Sequence, residues 1–144
     1  MRSLRLMRSA FAGALAVCLL ALWAPAAAAD DAADIRALLE AQTAAFTAGD
    51  ADRAFGFASP NIQARFGDAE TFLLMVESGY GALIGPSAYR VEEIELRGDK
   101  GAASAHVVGK DGRIYKAVYP LARLPSGEWR IDGCFLEQGK GRMS

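Results

Sequence analysis

One stretch constrains the fold of this chain more than any other. Arg113 to Leu136 reads R-I-Y-K-A-V-Y-P-L-A-R-L-P-S-G-E-W-R-I-D-G-C-F-L, two apolar, aromatic-rich runs on either side of Pro125-Ser126-Gly127-Glu128. Proline sets φ at one corner of a turn, and glycine supplies a positive φ further on. The pair predicts a long antiparallel hairpin. The chain before it is expected to cover one face of the sheet that the hairpin belongs to.

Upstream the periodicity is helical. Ile35, Leu38, Leu39, Gln42, Ala45 and Phe46 recur at helix spacing after Asp30-Asp31, which predicts a first helix starting at those acids. Gly49-Asp50 ends it and opens a short second helix over Ala51–Ala58, with Ala54, Phe55 and Ala58 inward. Ser59-Pro60 breaks that helix. Residues 61–66 form a connector that is either one helical turn or a short strand. Asp68 caps a third helix whose Phe72, Leu73, Val76, Tyr80 and Leu83 share a face. After Pro86 the pattern alternates. Tyr89 and Val91 stand in one phase, Ile94 and Leu96 in the other, with Glu92-Glu93 between, the mark of a β-bulge. Gly98-Asp99-Lys100-Gly101 and Asp111-Gly112 are turns flanking the next strand. Segregated helices and strands mean α+β. A bulged sheet folded over a long first helix makes a cone with an open mouth.

Residues 1–29 are expected to lie outside that fold. A basic head (Arg2, Arg5, Arg8), an apolar run from Ala10 to Trp23 and the small-residue exit Ala24-Pro25-Ala26-Ala27-Ala28-Ala29 have the order of a secretory signal peptide. The run is short for a bilayer span. The expectation is cleavage after Ala28 or Ala29, a periplasmic or secreted product, one domain over 30–138 and a flexible tail over 139–144. Cleavage removes three of the chain's 16 basic residues and none of its 17 acidic ones, leaving a net charge of about −4. That balance argues against nucleic acid and anionic membranes as partners. Cys134 alone survives cleavage, so the core must hold the domain without an intrachain disulfide.

Helix, Gly-Asp, short helix, Gly-Asp helix and a curved sheet ending in Glu128-Trp129-Arg130-Ile131 resemble the nuclear transport factor 2-like (cystatin-like) superfamily. More narrowly, Ala54-Phe55-Gly56-Phe57-Ala58-Ser59-Pro60-Asn61-Ile62-Gln63-Ala64-Arg65-Phe66-Gly67 resembles a bacterial family, domain of unknown function 4864. So do Met75-Val76-Glu77-Ser78-Gly79-Tyr80 and Trp129-Arg130-Ile131-Asp132-Gly133-Cys134. The resemblance covers nearly all of the expected mature chain. It implies the cone fold and export, and no reaction. Members of the wider superfamily include isomerases, dehydratases and non-catalytic binding proteins.

No stretch carries a strong catalytic motif. His106 is the only histidine and lacks metal-ligand spacing, so a half-exposed strand position accounts for it. Gln42 interrupts the apolar stripe of the first helix. It is either bonded to a strand carbonyl or borders a wet or ligand-filled cavity. Tyr115 and Tyr119 share a phase and line one face. If the Ile131 side is the core, Asp132 is outside and inert; if the opposite side faces the pocket, Asp132 with a tyrosine suits proton abstraction next to a carbonyl, and the alternation favours the first. Cys134 has no neighbouring base and reads as a small buried hydrophobe. Arg65 either pairs with an acid or holds an anion. The expected pocket residues are Gln42, Phe46, Val76, Tyr80, Tyr115 and Tyr119. The expected function is non-catalytic binding of a small apolar ligand or a protein partner through the cone mouth, with no cofactor or metal. The alternative is a cofactor-free isomerase or dehydratase using a carboxylate and tyrosines. Tyr, Val and Leu in both strand phases predict a homodimer through the open sheet face.

Overall fold

The computed structural model of the chain describes residues 24–142. The expected leader lies almost entirely outside the described residues. Helices come first: α1 (Ala24–Ala48), α2 (Ala51–Gly56), α3 (Pro60–Phe66) and α4 (Ala69–Gly79), then a 3-10 turn (Gly81–Leu83). Five strand segments follow: β1 (Ala88–Arg97), β2 (Lys100–Val108), β3 (Arg113–Arg123), β4 (Trp129–Ile131) and β5 (Phe135–Arg142). All pair antiparallel, in the order β1-β2-β3-β4, with β5 also on β3. This is the expected α+β arrangement.

Helix α1 starts six residues before the predicted acids, because the alanines of residues 26–29 are strong helix formers and extend it. Asp31 therefore lies inside the helix and serves another purpose. Its carboxylate pairs with Arg123 and accepts a hydrogen bond from Trp129 Nε1 at 3.2 Å. The Arg123 guanidinium lies 5.0 Å above the Trp129 ring. One carboxylate thus pins the front of α1 to the turn end of the hairpin. No helix among the described residues is long and apolar enough to cross a membrane.

The short helices begin on side-chain caps. Asp50 accepts from Arg53 N, Ser59 from Ile62 N and Asp68 from Thr71 N, each satisfying a backbone donor that the first turn leaves free. The undecided connector is helix α3. Pro60 does not merely stop α2: it occupies the first turn of α3, where a missing N–H costs nothing.

The bulge is where the phase slip put it. The β1–β2 register shifts between Val91 and Ile94, so Glu92 and Glu93 stand opposite one residue of β2. Ala103, Ala105 and Val107 of β2 and Ala117, Tyr119 and Leu121 of β3 form the buried inner face. Small residues along it leave room for the Tyr119 ring and for Ile35, Leu39 and Phe46 from α1. On the opposite face lie Arg90, Glu92, His106, Lys116 and Glu137, with Ile114, Val118 and Phe135 among them.

The organising hairpin has one broken arm. β3 is continuous for eleven residues, but its partner stops after Ile131 and restarts at Phe135. Asp132-Gly133-Cys134 forms a kink between the two pieces. β5 then continues through Gly139 to Arg142, carrying the glycine-rich tail into the sheet. The free rim of β4 meets the α2–α3 linker: Ile131 N donates to Phe57 O at 2.9 Å and Ser59 N to Ile131 O at 2.8 Å.

Candidate functional site

The kink in the hairpin forms the floor of a cavity of about 530 Å³. Its walls come from three helices: Gln42 and Phe46 of α1, Ile62, Arg65 and Phe66 of α3, and Phe72, Met75 and Val76 of α4. Tyr80, Leu83, Pro120 and residues 131–135 complete it. Phe72 is the hub of the apolar wall, with the Phe46, Phe55 and Phe66 rings 6.0, 5.4 and 5.7 Å from its own. The tilted and edge-on geometries are those aromatic quadrupoles favour.

The sequence-predicted residues divide here. Gln42, Phe46, Val76 and Tyr80 line the cavity together. Gln42 is also a structural tie: its Nε2 donates to Ala54 O at 3.2 Å, joining α1 to α2 rather than to a strand. The Tyr80 hydroxyl donates to Cys134 O at 3.1 Å, tying the end of α4 to the kink. Tyr119 and Tyr115 share the inner face but neither lines this cavity. Tyr119 is 1% exposed, and its hydroxyl accepts from Tyr89 at 3.0 Å. Burial pushes both phenols above their ordinary pKa, so they stay neutral. Tyr115 borders a second, shallower cavity of about 390 Å³ with Glu77, Lys110 and Asp111.

One lining residue lies where the alternation argued against it, and a second residue, outside the lining, holds it. Asp132 lines the cavity. The strand ends before it, so alternation counted from Ile131 no longer fixes its side. Its backbone N donates to Pro120 O at 2.8 Å. Its Oδ1 accepts from the hydroxyl of Ser59 at 2.5 Å. Ser59 is 1% exposed and works twice, since its oxygen also caps α3 by accepting from Ile62 N at 3.2 Å. The Asp132-Gly133 pair, itself a turn signal, was the clue that the strand breaks there.

The remaining candidates fall away from the chemistry. His106 is on the opposite face of the sheet, in register with Arg90 and Lys116, and makes no hydrogen bond or ion pair among the described residues. Cys134 lines the cavity, but burial pushes its thiol up to about 12, leaving it protonated and unreactive at neutral pH. Arg65 makes no ion pair among the described residues; its guanidinium lies 5.8 Å from the centre of the Phe66 ring. Among the described residues no cluster of His, Cys, Asp or Glu could hold a metal ion.

Comparison with known proteins agrees with this architecture. The family described as "Domain of unknown function (DUF4864)" matches residues 28–144. The crystal structure of an NTF-2-like protein of unknown function from Silicibacter pomeroyi superposes with a TM-score of 0.56 at 18% identity, covering 78% of this chain and 98% of that one. The solution structure of a SEC-C motif containing protein from Rhodopseudomonas palustris gives 0.53 at 17%, covering 69% and 75%. Identities this low speak to the fold alone, which is NTF-2-like. Comparison with curated proteins finds no match.

Proposed function

The chain belongs to the DUF4864 family, and we propose that it is a non-catalytic binding domain that takes a small apolar ligand into the cavity above the kink. The observation that carries this reading is the cavity itself. Its volume of about 530 Å³ lies in the range of small-molecule sites, about 300–1,000 Å³. Phe46, Phe66, Phe72, Met75 and Val76 offer an apolar body a matching wall. The polar groups of Gln42 and Tyr80 are already bonded to backbone carbonyls. The test is titration with Nile red, a neutral apolar dye. Saturable one-to-one binding is expected, and Met75→Trp, which fills the cavity from α4, should abolish it without lowering the melting temperature. Binding unchanged in that variant overturns the reading.

The acid–base alternative has one observation in its favour: Asp132 and Tyr80 border the same cavity. The phenol's proton is committed to Cys134 O, however, which takes away the donor such chemistry needs. Proton exchange next to the carbonyl of a simple ketone, dependent on Asp132, would move the weight to that reading. We infer further that the domain works outside the cytoplasm, on the strength of the basic head, apolar core and small-residue exit of residues 1–29. Sequencing of the cellular protein should begin at Ala29 or Asp30; a start at Met1 refutes it.

A further inference from the structure

We infer that α3 is a lid on this cavity, a helix that unwinds to let a ligand pass and is held wound by the ligand once bound. The inference rests on the reading of the cavity as a small-molecule site and adds how that site opens and closes.

Of the cavity's helical walls, α3 is the one built to yield. None of its seven residues is buried, whereas α4 buries Phe72 and Val76, and α1 buries Ile35, Leu39 and Phe46. A helix this short does not persist on its own propensity, so contacts with the rest of the domain must keep it wound. Those contacts are local. Gln63 Nε2 donates to Phe55 O at 3.0 Å and to Ala58 O at 3.2 Å, tying α3 to the end of α2. The Phe66 ring meets Phe72 edge-on at 5.7 Å. The two ends differ. Ser59 anchors the front, its N donating to Ile131 O at 2.8 Å and its hydroxyl to Asp132, so that end stays in place when the helix lets go. At the back, Gly67 takes a φ of +84°, and among the described residues no heavy atom beyond its chain neighbours lies within 4 Å of where a Cβ would stand. No packing there resists a change of direction, and glycine tolerates one.

What α3 lacks is a core, and the cavity lies where that core would be. Ile62 and Phe66 stand four residues apart on one face of the helix, and both line the cavity. Both are only half-buried. An apolar body in the cavity covers them, and it meets the two side chains together only while the helix is wound. A bound ligand therefore favours the wound form by that difference in contact. Segments that move at binding sites are drawn from the least stable parts of a fold, and an unburied helix tied by one glutamine and one ring is such a part.

The experiment is amide hydrogen exchange of the full chain with and without Nile red. In the free protein the amides from Gln63 to Gly67 are expected to exchange at least about tenfold faster than those of α4 around Val76. With free dye at about ten times its dissociation constant they should slow about elevenfold, the factor for an opening that only the empty cavity permits. Gln63→Ala drops both ties to α2 and should speed release of bound dye about tenfold, as losing one to two net hydrogen bonds from the lid would give. Exchange of α3 in step with α4 in the free protein overturns the lid and leaves the cavity reading standing. So does α3 exchange that bound dye leaves unchanged, or a release rate that Gln63→Ala does not alter. Absence of dye binding overturns both. If Gln63→Ala does not fold, the exchange comparison on the unaltered protein decides alone.

Discussion

Replacing Ser59 by alanine should be among the most damaging single-atom deletions in the domain. The hydroxyl caps α3 by accepting from Ile62 N at 3.2 Å and donates to Asp132 Oδ1 at 2.5 Å. Loss of a serine cap costs about 0.5–2 kcal/mol. Loss of a hydrogen bond to a charged group costs about 1.5–3 kcal/mol. Asp132 is half-buried, so water entering the cavity can meet the abandoned oxygen. That places the expected total towards the low end of the sum, at about 2–3 kcal/mol. Urea denaturation followed by far-ultraviolet circular dichroism measures it. Asp132→Ala and the double variant complete a cycle whose coupling isolates the Ser59–Asp132 bond from the cap. The cap component should persist in the Asp132→Ala background. A loss below about 0.5 kcal/mol for Ser59→Ala, or a coupling of zero, refutes the assignment of two jobs to this hydroxyl.

Three further outcomes follow from the same geometry. Phe72→Ala removes the hub of the aromatic wall and should destabilise by about 3–5 kcal/mol in urea, a loss under 1 kcal/mol being inconsistent with its burial. Gln42→Leu takes the donor from Ala54 O and should cost about 1–3 kcal/mol in the same assay, while Nile red binding persists because the amide is already committed. The Cys134 thiol is raised from 9.0 to about 12 by burial, so its contribution is fully present below about pH 9 and is lost as pH rises towards 12. Over that window the unfolded chain gives up a proton the folded one keeps, and stability should fall by up to about 1.4 kcal/mol per pH unit. Cys134→Ala should flatten that part of the profile relative to the unaltered protein, in which Tyr89 and Tyr119 add losses of the same sign.

The parts of the fold that the sequence displays are those governed by a local rule. Glu92-Glu93 interrupts an alternation, and the register shifts there. Asp68 precedes a helical stripe and caps it. Gln42, Phe46, Val76 and Tyr80 lie on stripes that face one interior, and they meet in the cavity. The rest depends on contacts between distant segments. Ser59-Pro60 ends one helix and starts another with the same letters, and only the packing of α3 decides which. Counting alternation from Ile131 favours the outside for Asp132, but the strand stops one residue earlier. Tyr115 and Tyr119 do share a face, yet four residues along a strand separate them by about 13 Å, enough to put one in the core and the other beside a different cavity. A shared face is therefore a weaker statement than a shared site.

The bulge in β1 has a consequence for how copies of the protein meet one another. β1 is the outermost strand of the sheet, and among the described residues no strand pairs with its outer side. A flat strand in that position is a template on which another chain can add. Here the ladder is dislocated at Glu92-Glu93, and Arg90, Glu92, Glu93, Glu95 and Arg97 are exposed along it. An incoming strand would have to match an irregular spacing and bury charge. At β4 the linker from Phe57 to Ser59 already takes the backbone bonds that a stranger would use. Deleting one of the two glutamates would restore a regular ladder from Ala88 to Arg97 and turn the outer strand into a seed for aggregation.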